Sequence, residues 1–368
     1  MKQTPDDTET TEWAGLLDLA SLSPYARVFF LLLLRRSADA VMLAAELNVA
    51  DHLAERPRTA SELGELTGCH PESLRRILLT AAALGIFTEQ PDGRFTLTED
   101  AECLRSDAEI GLRNLAVFVG GIDALSPFDE LRQTLRTGVD PFRRKYGKMM
   151  YEVIADHPEL SKSFNRAMTQ TAQMSAESIA NFGGFARFTR VADIGGGRGQ
   201  LIGEIVRKNP HLHGILFDLP HVTKDAPELL ASLGVADRVT VMSGNFWNEL
   251  PTGADAYLFH RVFGGGDEHQ IAKTLKQIHA EIGDLPHARL LIAEPILPPP
   301  NRFHPSRLVD IDMMLIFGGR LRTEADWKEL LATAGLELVS TLEADPMVTM
   351  LEARSAAAGE LPAQPAVP

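Results

Sequence analysis

A glycine-rich turn near the middle of the chain, Asp193–Gly199, constrains the fold more than any other segment. It follows the strand-like run Arg190–Ile194 and precedes a helical pattern that begins near Gln200. Glycines leave little bulk in such a turn, and the free N–H groups of the next helix point to the same place. Asp218 ends the next strand-like run, 25 residues after Asp193, where a carboxylate can bridge two ribose hydroxyls. These features predict a crevice that binds a nucleoside, with helix capping as the alternative role of Asp218.

The C-terminal half alternates strand-like apolar runs with helical patterns, which predicts a doubly wound, Rossmann-like α/β sheet. The runs are 190–194, 214–218, 239–242, 256–259 and 289–293. In the N-terminal part, helical patterns precede an alternating segment, Gly93–Thr98, which is typical of a winged helix. Two helices of this domain are expected to begin at the capping pattern after Thr59 and at Pro71.

Five parts are therefore expected along the chain. They are a flexible N-terminus at 1–20, a winged-helix dimerisation domain at 21–106, a helical linker with substrate-pocket helices at 107–180, a Rossmann-like cofactor-binding domain at 181–354 and a disordered tail at 355–368.

A winged helix also suggests a DNA-binding regulator, which is the alternative from another functional class. The net charge of −14 disfavours a polyanionic partner. Beyond Arg75 and Arg76, the second helix is almost entirely apolar and offers little to phosphates. We therefore expect the module to be structural or dimerising, and we expect no nucleic-acid partner.

Composition indicates a globular protein without membrane contact. The longest apolar run, Val28–Leu34, is far shorter than the roughly 20 residues that cross a bilayer. Residues 1–11 are polar and acidic and lack the features of a secretory signal, so a cytoplasmic location is expected. Cys69 and Cys103 cannot form a disulfide framework, and the scattered histidines offer no metal-ligand spacing.

The glycine spacing also separates two classes of nucleotide-binding enzyme. A nicotinamide dehydrogenase carries the pattern GxGxxG, whereas Gly195 and Gly197 are followed here by Gly199, two residues later. The spacing favours a cofactor without a pyrophosphate.

Four segments together resemble the S-adenosylmethionine-dependent O-methyltransferases, which include plant caffeate-type enzymes and bacterial enzymes that tailor anthracyclines and other natural products. The segments are Val191–Gly199, Phe217–Val222, Glu294–Leu297 and Gly318–Thr323, and the similarity extends from about residue 25 to 353. The resemblance implies S-adenosyl-L-methionine as cofactor, a phenolic or aromatic small molecule as substrate, a homodimer, and methylation of oxygen or ring carbon in antibiotic biosynthesis.

The resemblance further implies which residues bind the cofactor. They are Asp193, Gly195, Gly197, Asp218, Leu219, Asn245, Phe246 and His260. Asp193 and Gly195 would face the methionine part and Asp218 the ribose, while Asn245 and Phe246 would lie beside adenine. For His260, a strand-end histidine hydrogen-bonded within the core is an equal alternative.

The family's usual catalytic element is absent. Its members carry a His-Asp-Trp run whose histidine takes the proton from a phenol, but Gly264–Gly266 stand at that place here, and Leu321 replaces the glutamate that orients the histidine. A general base contributes a factor of about 100 to 10,000, whereas alignment of the reactants contributes roughly 7 to 11 kcal/mol. Methyl transfer therefore remains the expected chemistry, and repurposing for hydroxylation or decarboxylation is the alternative.

Three residues are candidates for the missing base: Glu294, Asp267 and His269. Each also has an ordinary structural interpretation. Burial of Glu294 would raise the pKa of its carboxyl, Asp267 would cap a helix, and His269 would face solvent.

For the acceptor, the resemblance points to helices around 149–168 and to the segment 310–317. The substrate-binding candidates are Met150, Phe164, Met168, Asp312, Met313 and Ile316. Methionines and aromatic side chains form an adaptable apolar wall for a ring, although ordinary helix core is the alternative for each. Asp312 could hold an ammonium or a hydroxyl group of the substrate.

Overall fold

The computed structural model describes residues 23–125, 130–181, 184–283, 285–300, 304–345 and 347–357. These residues form two compact units. Unit 1 consists of the described residues of 1–130 and 154–171, and unit 2 of those of 131–153 and 172–368, so the predicted linker 107–180 is divided between the two units. The predicted flexible N-terminus at 1–20 and residues 358–368 of the predicted tail lie outside the described ranges.

Unit 1 contains the predicted winged helix. Its elements are α1 (Pro24–Glu46), α2 (Val49–Glu55), β1 (Arg58–Thr59), α3 (Ala60–Thr67), α4 (Pro71–Ala83), β2 (Phe87–Glu89), β3 (Arg94–Leu97) and α5 (Arg113–Leu125). The three strands form an antiparallel sheet in the order β1-β3-β2. Thr59 and Glu62 form the capping box of α3, and Pro71 is the first residue of α4, as the sequence predicted.

Unit 2 carries the large sheet and most of the remaining helices. Its elements, with α8 and α9 shared between the units, are α6 (Leu131–Thr137), α7 (Pro141–Tyr146), α8 (Met150–Ala155), α9 (Pro158–Ala180), β4 (Arg190–Ile194), α10 (Gln200–Lys208), β5 (His213–Asp218), α11 (Pro220–Thr223), α12 (Ala226–Ser232), β6 (Val239–Ser243), β7 (Ala256–His260), α13 (Glu268–Ile282), β8 (Arg289–Glu294), α14 (Ser306–Asp312), α15 (Glu324–Thr333), β9 (Leu336–Asp345) and β10 (Val348–Ser355).

The large sheet has the strand order β6-β5-β4-β7-β8-β10-β9. Its first five strands are parallel, and β10 runs antiparallel to both β8 and β9. The five parallel strands confirm the prediction of a Rossmann-like sheet, whereas the antiparallel hairpin β9–β10 was not predicted. The hairpin also corrects the predicted start of the tail, because Ser355 ends β10 with its side chain buried.

Two apolar clusters cover the two faces of this sheet. Val191 and Leu258 belong to one cluster, and their neighbours Ala192 and Phe259 belong to the other. Strands buried on both faces read as continuous apolar runs, which is why the sequence revealed them. Since the strand order reverses beside β4, the crevice outside the carboxyl ends of β4, β5 and β7 is the place where such sheets bind ligands.

Candidate functional site

The turn after β4 is bare of side chains on its open side. Gly195 and Gly197 adopt φ values of 69° and 63°, in the left-handed region that favours glycine. A Cβ atom at Gly195 would lie 2.9 Å from Cγ2 of Val262, and one at Gly196 would lie 2.5 Å from Oδ2 of Asp193. At Gly197, by contrast, a Cβ atom would meet no described atom within 4 Å. The turn therefore packs tightly on the protein side and leaves open space beside Gly197.

Asp193, at the start of the glycine turn, is a buried carboxylate. Its side chain is 1% exposed, and neither oxygen makes a hydrogen bond of good geometry with a described residue, although the backbone N–H of Ile202 lies near enough to lower the pKa of the carboxyl. Burial, together with the negative charge of Asp218, raises the pKa of Asp193 from 3.8 to about 7. An unpaired buried charge is costly, so a cationic or hydrogen-bonding ligand at this place would relieve that cost.

Asp218, at the end of β5, is held by the backbone of two turns. Its Oδ2 accepts a hydrogen bond of 2.8 Å from the N–H of Gly197, and its Oδ1 accepts one of 2.6 Å from the N–H of Leu219. Burial raises the pKa of Asp218, while the two N–H donors lower it. The carboxylate is thus oriented at the carboxyl end of β5, next to the glycine turn. Leu219 is the N-cap residue of α11.

The two residues proposed for adenine follow β6. Oδ1 of Asn245 accepts a hydrogen bond of 3.0 Å from the N–H of Trp247, which leaves the amide donors of Asn245 available. The ring of Phe246 packs on Trp247 at a centroid distance of 4.4 Å and meets Phe259 edge to face at 6.3 Å. Phe246 therefore presents a fixed aromatic edge next to the sheet.

His260 ends β7 in unit 2 and is half-buried. Its Nε2 lies 3.2 Å from Oγ of Ser175. Burial and the nearby charge of Arg261 lower the pKa of His260 to about 3, so the imidazole is neutral at physiological pH. The hydrogen bond to Ser175 agrees with the structural alternative that the sequence left open for this residue.

The glycine run Gly264–Gly266 is buried and closely packed. A Cβ atom at position 264 would lie 2.8 Å from Sδ of Met313 and 3.6 Å from Cδ2 of Leu321. A Cβ atom at Gly319 would collide with the carbonyl oxygen of Gly264. Positions 264 and 321 are thus neighbours, as the resemblance implies for a base and its orienting residue, but Met313 and Leu321 fill that space with apolar groups.

Glu294, at the end of β8, anchors the loop that leads into the glycine run. It is 2% exposed, and its Oε1 accepts hydrogen bonds of 2.8 Å from the N–H groups of both Val262 and Phe263. Burial raises the pKa of Glu294 to about 7, although the two N–H groups and the charges of Arg322 and Arg261 act in the opposite direction. One oxygen of this carboxyl is therefore committed to the backbone.

Asp267 and His269, the other two candidates for the base, are exposed. Asp267 is the N-cap of α13, and its Oδ1 accepts a hydrogen bond of 2.8 Å from the N–H of Gln270. His269 lies in the first turn of the same helix. The capping bond and the exposure give both residues an ordinary structural account.

The candidates for acceptor binding are divided between the two units. Phe164 and Met168 lie on the part of α9 that belongs to unit 1, where Phe164 packs on Phe118 at a centroid distance of 4.9 Å. The other four, Met150, Asp312, Met313 and Ile316, belong to unit 2.

Within unit 2, Met150 is 1% exposed and belongs to the core. Met313 and Ile316 lie in a π-helical turn, Met313–Phe317, that continues α14. Such turns are rare and often occur at functional sites. Asp312, the residue before this turn, is exposed, and partial desolvation by its neighbours raises the pKa of its carboxyl to about 6.

Tyr151, on α8, is a polar residue at the glycine run that was not among the sequence candidates. Its ring packs on Phe317 at a centroid distance of 5.6 Å. A Cβ atom at Gly265 would lie 3.9 Å from its Oη. No motif marks Tyr151, and only its place beside Met150, within a segment predicted for the pocket, could have drawn attention to it.

Among the described residues, no group of three or more His, Cys, Asp and Glu side chains could hold a metal ion. No helix in the described ranges is long and apolar enough to span a membrane.

Comparison with known proteins gives matches over most of the chain. A model of the O-methyltransferase domain matches residues 128–337, and a model of the O-methyltransferase dimerisation domain matches residues 32–107. The chain is 35% identical to the 8-amino-8-demethylriboflavin N,N-dimethyltransferase of Streptomyces davaonensis, over 85% of this chain and 90% of that protein.

Two other similar proteins are named for different activities, one as an O-methyltransferase and one as a hydroxylase. The crystal structure of NcsB1, an O-methyltransferase from neocarzinostatin biosynthesis, in complex with S-adenosylmethionine and 2-hydroxy-5-methyl naphthoic acid, has a TM-score of 0.75 and 30% identity, covering 87% of this chain and 96% of that one. The aclacinomycin 10-hydroxylase RdmB of Streptomyces purpurascens is 29% identical over 82% of this chain and 81% of its own length.

Proposed function

Since the chain belongs to the O-methyltransferase family, we propose that it transfers a methyl group from S-adenosylmethionine to an aromatic small molecule in the biosynthesis of an antibiotic-like natural product. The matching relatives include methyltransferases named for a riboflavin derivative and for 2,7-dihydroxy-5-methyl-1-naphthoate. Both are aromatic compounds, and they receive the methyl group on nitrogen and on oxygen, respectively.

The observation that carries the proposal is the pair of carboxylates at the glycine turn. S-adenosylmethionine brings an ammonium, a sulfonium and a ribose diol, and its methyl group is electrophilic when bound. The unpartnered oxygens of Asp193 and the open space beside Gly197 fit the methionine part. The oriented carboxylate of Asp218 fits the ribose hydroxyls. We propose that Gly195, Leu219, Asn245, Phe246 and His260 complete this site.

The donor site is tested by calorimetry with S-adenosylhomocysteine. Asp218→Ala removes an acceptor for two ribose hydroxyls, and hydrogen bonds to a charged group contribute about 1.5 to 3 kcal/mol each, so affinity should fall by at least about 100-fold. The matched control is Asp225→Ala, because Asp225 is exposed and its side chain caps no N–H of α12. Equal affinity of wild type and Asp218→Ala would remove Asp218 from the site.

We propose that the acceptor reacts without a protein base. Apolar Met313 and Leu321 occupy the space beside Gly264, and one oxygen of Glu294 is committed to two backbone N–H groups. Glu294 therefore positions the loop instead of taking the proton. The fold then contributes alignment of donor and acceptor, which is the larger of the two effects.

Asp312 is proposed to bind a polar group of the acceptor at the edge of the π-helical turn. Asp312 is exposed, and partial desolvation raises the pKa of its carboxyl to about 6, so a hydrogen-bonding or cationic partner would stabilise the ionised form. Met150, Phe164, Met168, Met313 and Ile316 remain proposals for the apolar part of the pocket.

The unit 1 module is proposed to join two copies of the chain into a homodimer. The O-methyltransferase dimerisation domain matches this part of the chain, and α1 exposes large apolar side chains. Among them, Tyr25 is 80%, Val28 59% and Leu32 74% exposed. A face of this kind on a soluble protein typically marks an interaction surface.

Hydroxylation is the second candidate function. It is favoured by the loss of the usual base and by the similarity to a protein named as a hydroxylase. Reaction under isotope-labelled dioxygen separates the two, because a hydroxylase would place labelled oxygen in the product, whereas a methyltransferase would not.

A further inference from the structure

We propose that the hydroxyl of Tyr151 donates a hydrogen bond to the acceptor oxygen that receives the methyl group and holds that oxygen as a phenolate. The inference rests on the proposed methyl transfer, and it adds the chemical class of the acceptor: a phenol or enol that reacts as its anion. It also assigns a catalytic residue to a site from which the usual base is absent.

The first support is the position of the hydroxyl. Tyr151 Oη lies 3.9 Å from the place of a Cβ atom on Gly265, within the run that stands where the family carries His-Asp-Trp. At the same place, the Cβ atom of Phe317 lies 3.4 Å away. The hydroxyl of Tyr151 thus borders Gly265, whose position is otherwise lined by Phe317.

The second support is the way in which the ring is held. Tyr151 packs on Phe317 with an interplanar angle of 45°, so the π-helical turn fixes one side of the ring. Its side chain is nevertheless 36% exposed, whereas Gly264–Gly266 are buried. A ring anchored in this way can present its hydroxyl to a ligand with little loss of rotamer entropy.

The third support is electrostatic. Partial desolvation of the phenol, together with the negative charges of Asp218 and Glu294, raises the pKa of Tyr151 above its usual value. The phenol consequently keeps its proton at neutral pH and can act as a donor but not as a base. Since both carboxylates act on the same hydroxyl, it lies within electrostatic reach of the ends of β5 and β8, between which the reacting atoms would be placed.

The chemistry balances without a protein base. The acceptor first loses its phenolic proton to solvent, and a hydrogen bond to the resulting anion is stronger than one to the neutral phenol. The phenolate oxygen then supplies the electron pair of the new O–C bond, while the C–S bond breaks and its electron pair remains on sulfur as a thioether. Tyr151 retains its own proton throughout, and the negative phenolate and positive sulfonium give two neutral products.

The test uses 4-nitrophenol, whose absorbance distinguishes phenol from phenolate, bound to the full-length protein in the presence of S-adenosylhomocysteine. In wild type the pKa of the bound nitrophenol should lie below that of the free compound. In Tyr151→Phe it should rise by about one to two units, because one hydrogen bond to a charged group is lost. The pH profile of kcat/KM for methylation of phenols should move by the same amount.

A matched control separates this effect from packing. Tyr151→Phe keeps the ring on Phe317, and Tyr146→Phe removes a phenolic hydroxyl from a residue of similar exposure, 37%, that stacks on Phe142 instead. The control should leave the nitrophenol titration unchanged.

The possible outcomes distinguish a failure of the Tyr151 assignment from a failure of the proposed methyltransferase function. Two outcomes would overturn the role of Tyr151 alone, provided that S-adenosylhomocysteine still binds normally. One is that nitrophenol titrates identically in wild type and Tyr151→Phe, and the other is that the protein does not bind nitrophenol. Failure of wild type to bind S-adenosylhomocysteine would overturn the proposed function and the Tyr151 assignment together.

Discussion

Replacing Asp193 by asparagine should stabilise the protein in the absence of the cofactor and abolish cofactor binding. The substitution keeps the shape of the side chain but removes a charge that is 1% exposed and has no hydrogen-bond partner among the described residues. Buried polar groups without partners are costly, and buried charges more so. We therefore propose that Asp193 is kept at the expense of stability because the cofactor uses it.

The magnitude follows from the pKa of Asp193, which burial and the charge of Asp218 raise from 3.8 to about 7. The pKa of Asp193 is higher in the folded than in the unfolded protein, so protonation of its carboxyl favours the folded state. This contribution to the free energy of unfolding is complete below about pH 4 and is lost as the pH rises through about 7. Each unit of difference corresponds to about 1.4 kcal/mol, so the full penalty at about pH 8 is on the order of 4 kcal/mol. The free energy of unfolding of Asp193→Asn, relative to that of wild type, should therefore increase by about 2 to 3 kcal/mol between about pH 5 and about pH 8.

Urea unfolding of the cofactor-free protein at several pH values measures this difference, and calorimetry with S-adenosylhomocysteine measures the loss of binding. Asp255→Asn is the matched control, for which the change in stability should have the opposite sign. Its carboxylate accepts hydrogen bonds of 2.7 to 2.8 Å from the backbone N–H groups of Thr189 and Arg190, so the variant should be less stable than wild type. The reasoning is refuted if Asp193→Asn is less stable than wild type at about pH 8, or if its advantage does not change with pH.

Three other variants test the acceptor side and the assembly. Glu294→Gln keeps an acceptor for the two backbone N–H groups, so kcat should fall less than about tenfold; a loss of about 100-fold or more would identify Glu294 as the base. Gly264→His combined with Leu321→Glu should displace the flexible end of Met313 and raise the rate of methylation of weakly acidic phenols up to about 100-fold. In wild type, equal rates with acidic and weakly acidic phenols would contradict a reaction without a protein base. Leu32→Glu, on the exposed face of α1, should shift light-scattering mass from dimer to monomer, and an unchanged mass would place the dimer contact elsewhere.

The sequence predicted the parallel part of the fold and the glycine turn after β4 because both depend on local patterns. Central strands such as β8, buried at every position, read as unbroken apolar runs, and the turn after β4 needs glycine where φ is positive. The hairpin β9–β10 was not predicted because most of β9 is exposed and its pattern of apolar residues is weak. A strand at the edge of a sheet, covered on few sides, leaves little apolar signal.

The acceptor side was less predictable for a different physical reason. The absence of the base at Gly264–Gly266 could be read from the sequence, but the group that fills the space could not. Met313 and Leu321 reach that position from segments about 50 residues further along the chain, and the contact exists only in the fold. Tyr151 carries no motif, so its place beside Gly265 likewise emerges only from the packing of α8 on the π-helical turn.

Mass spectrometry with methyl-labelled S-adenosylmethionine and a panel of phenols, enols and aromatic amines tests the central claim most directly. The account predicts that the label appears on an aromatic acceptor, that the rate among phenols rises as their own pKa approaches or falls below the assay pH, and that Asp218→Ala reduces transfer while Asp225→Ala does not. Turnover of an acceptor by the purified protein without any transfer of label, or with labelled oxygen from dioxygen in its place, would contradict it.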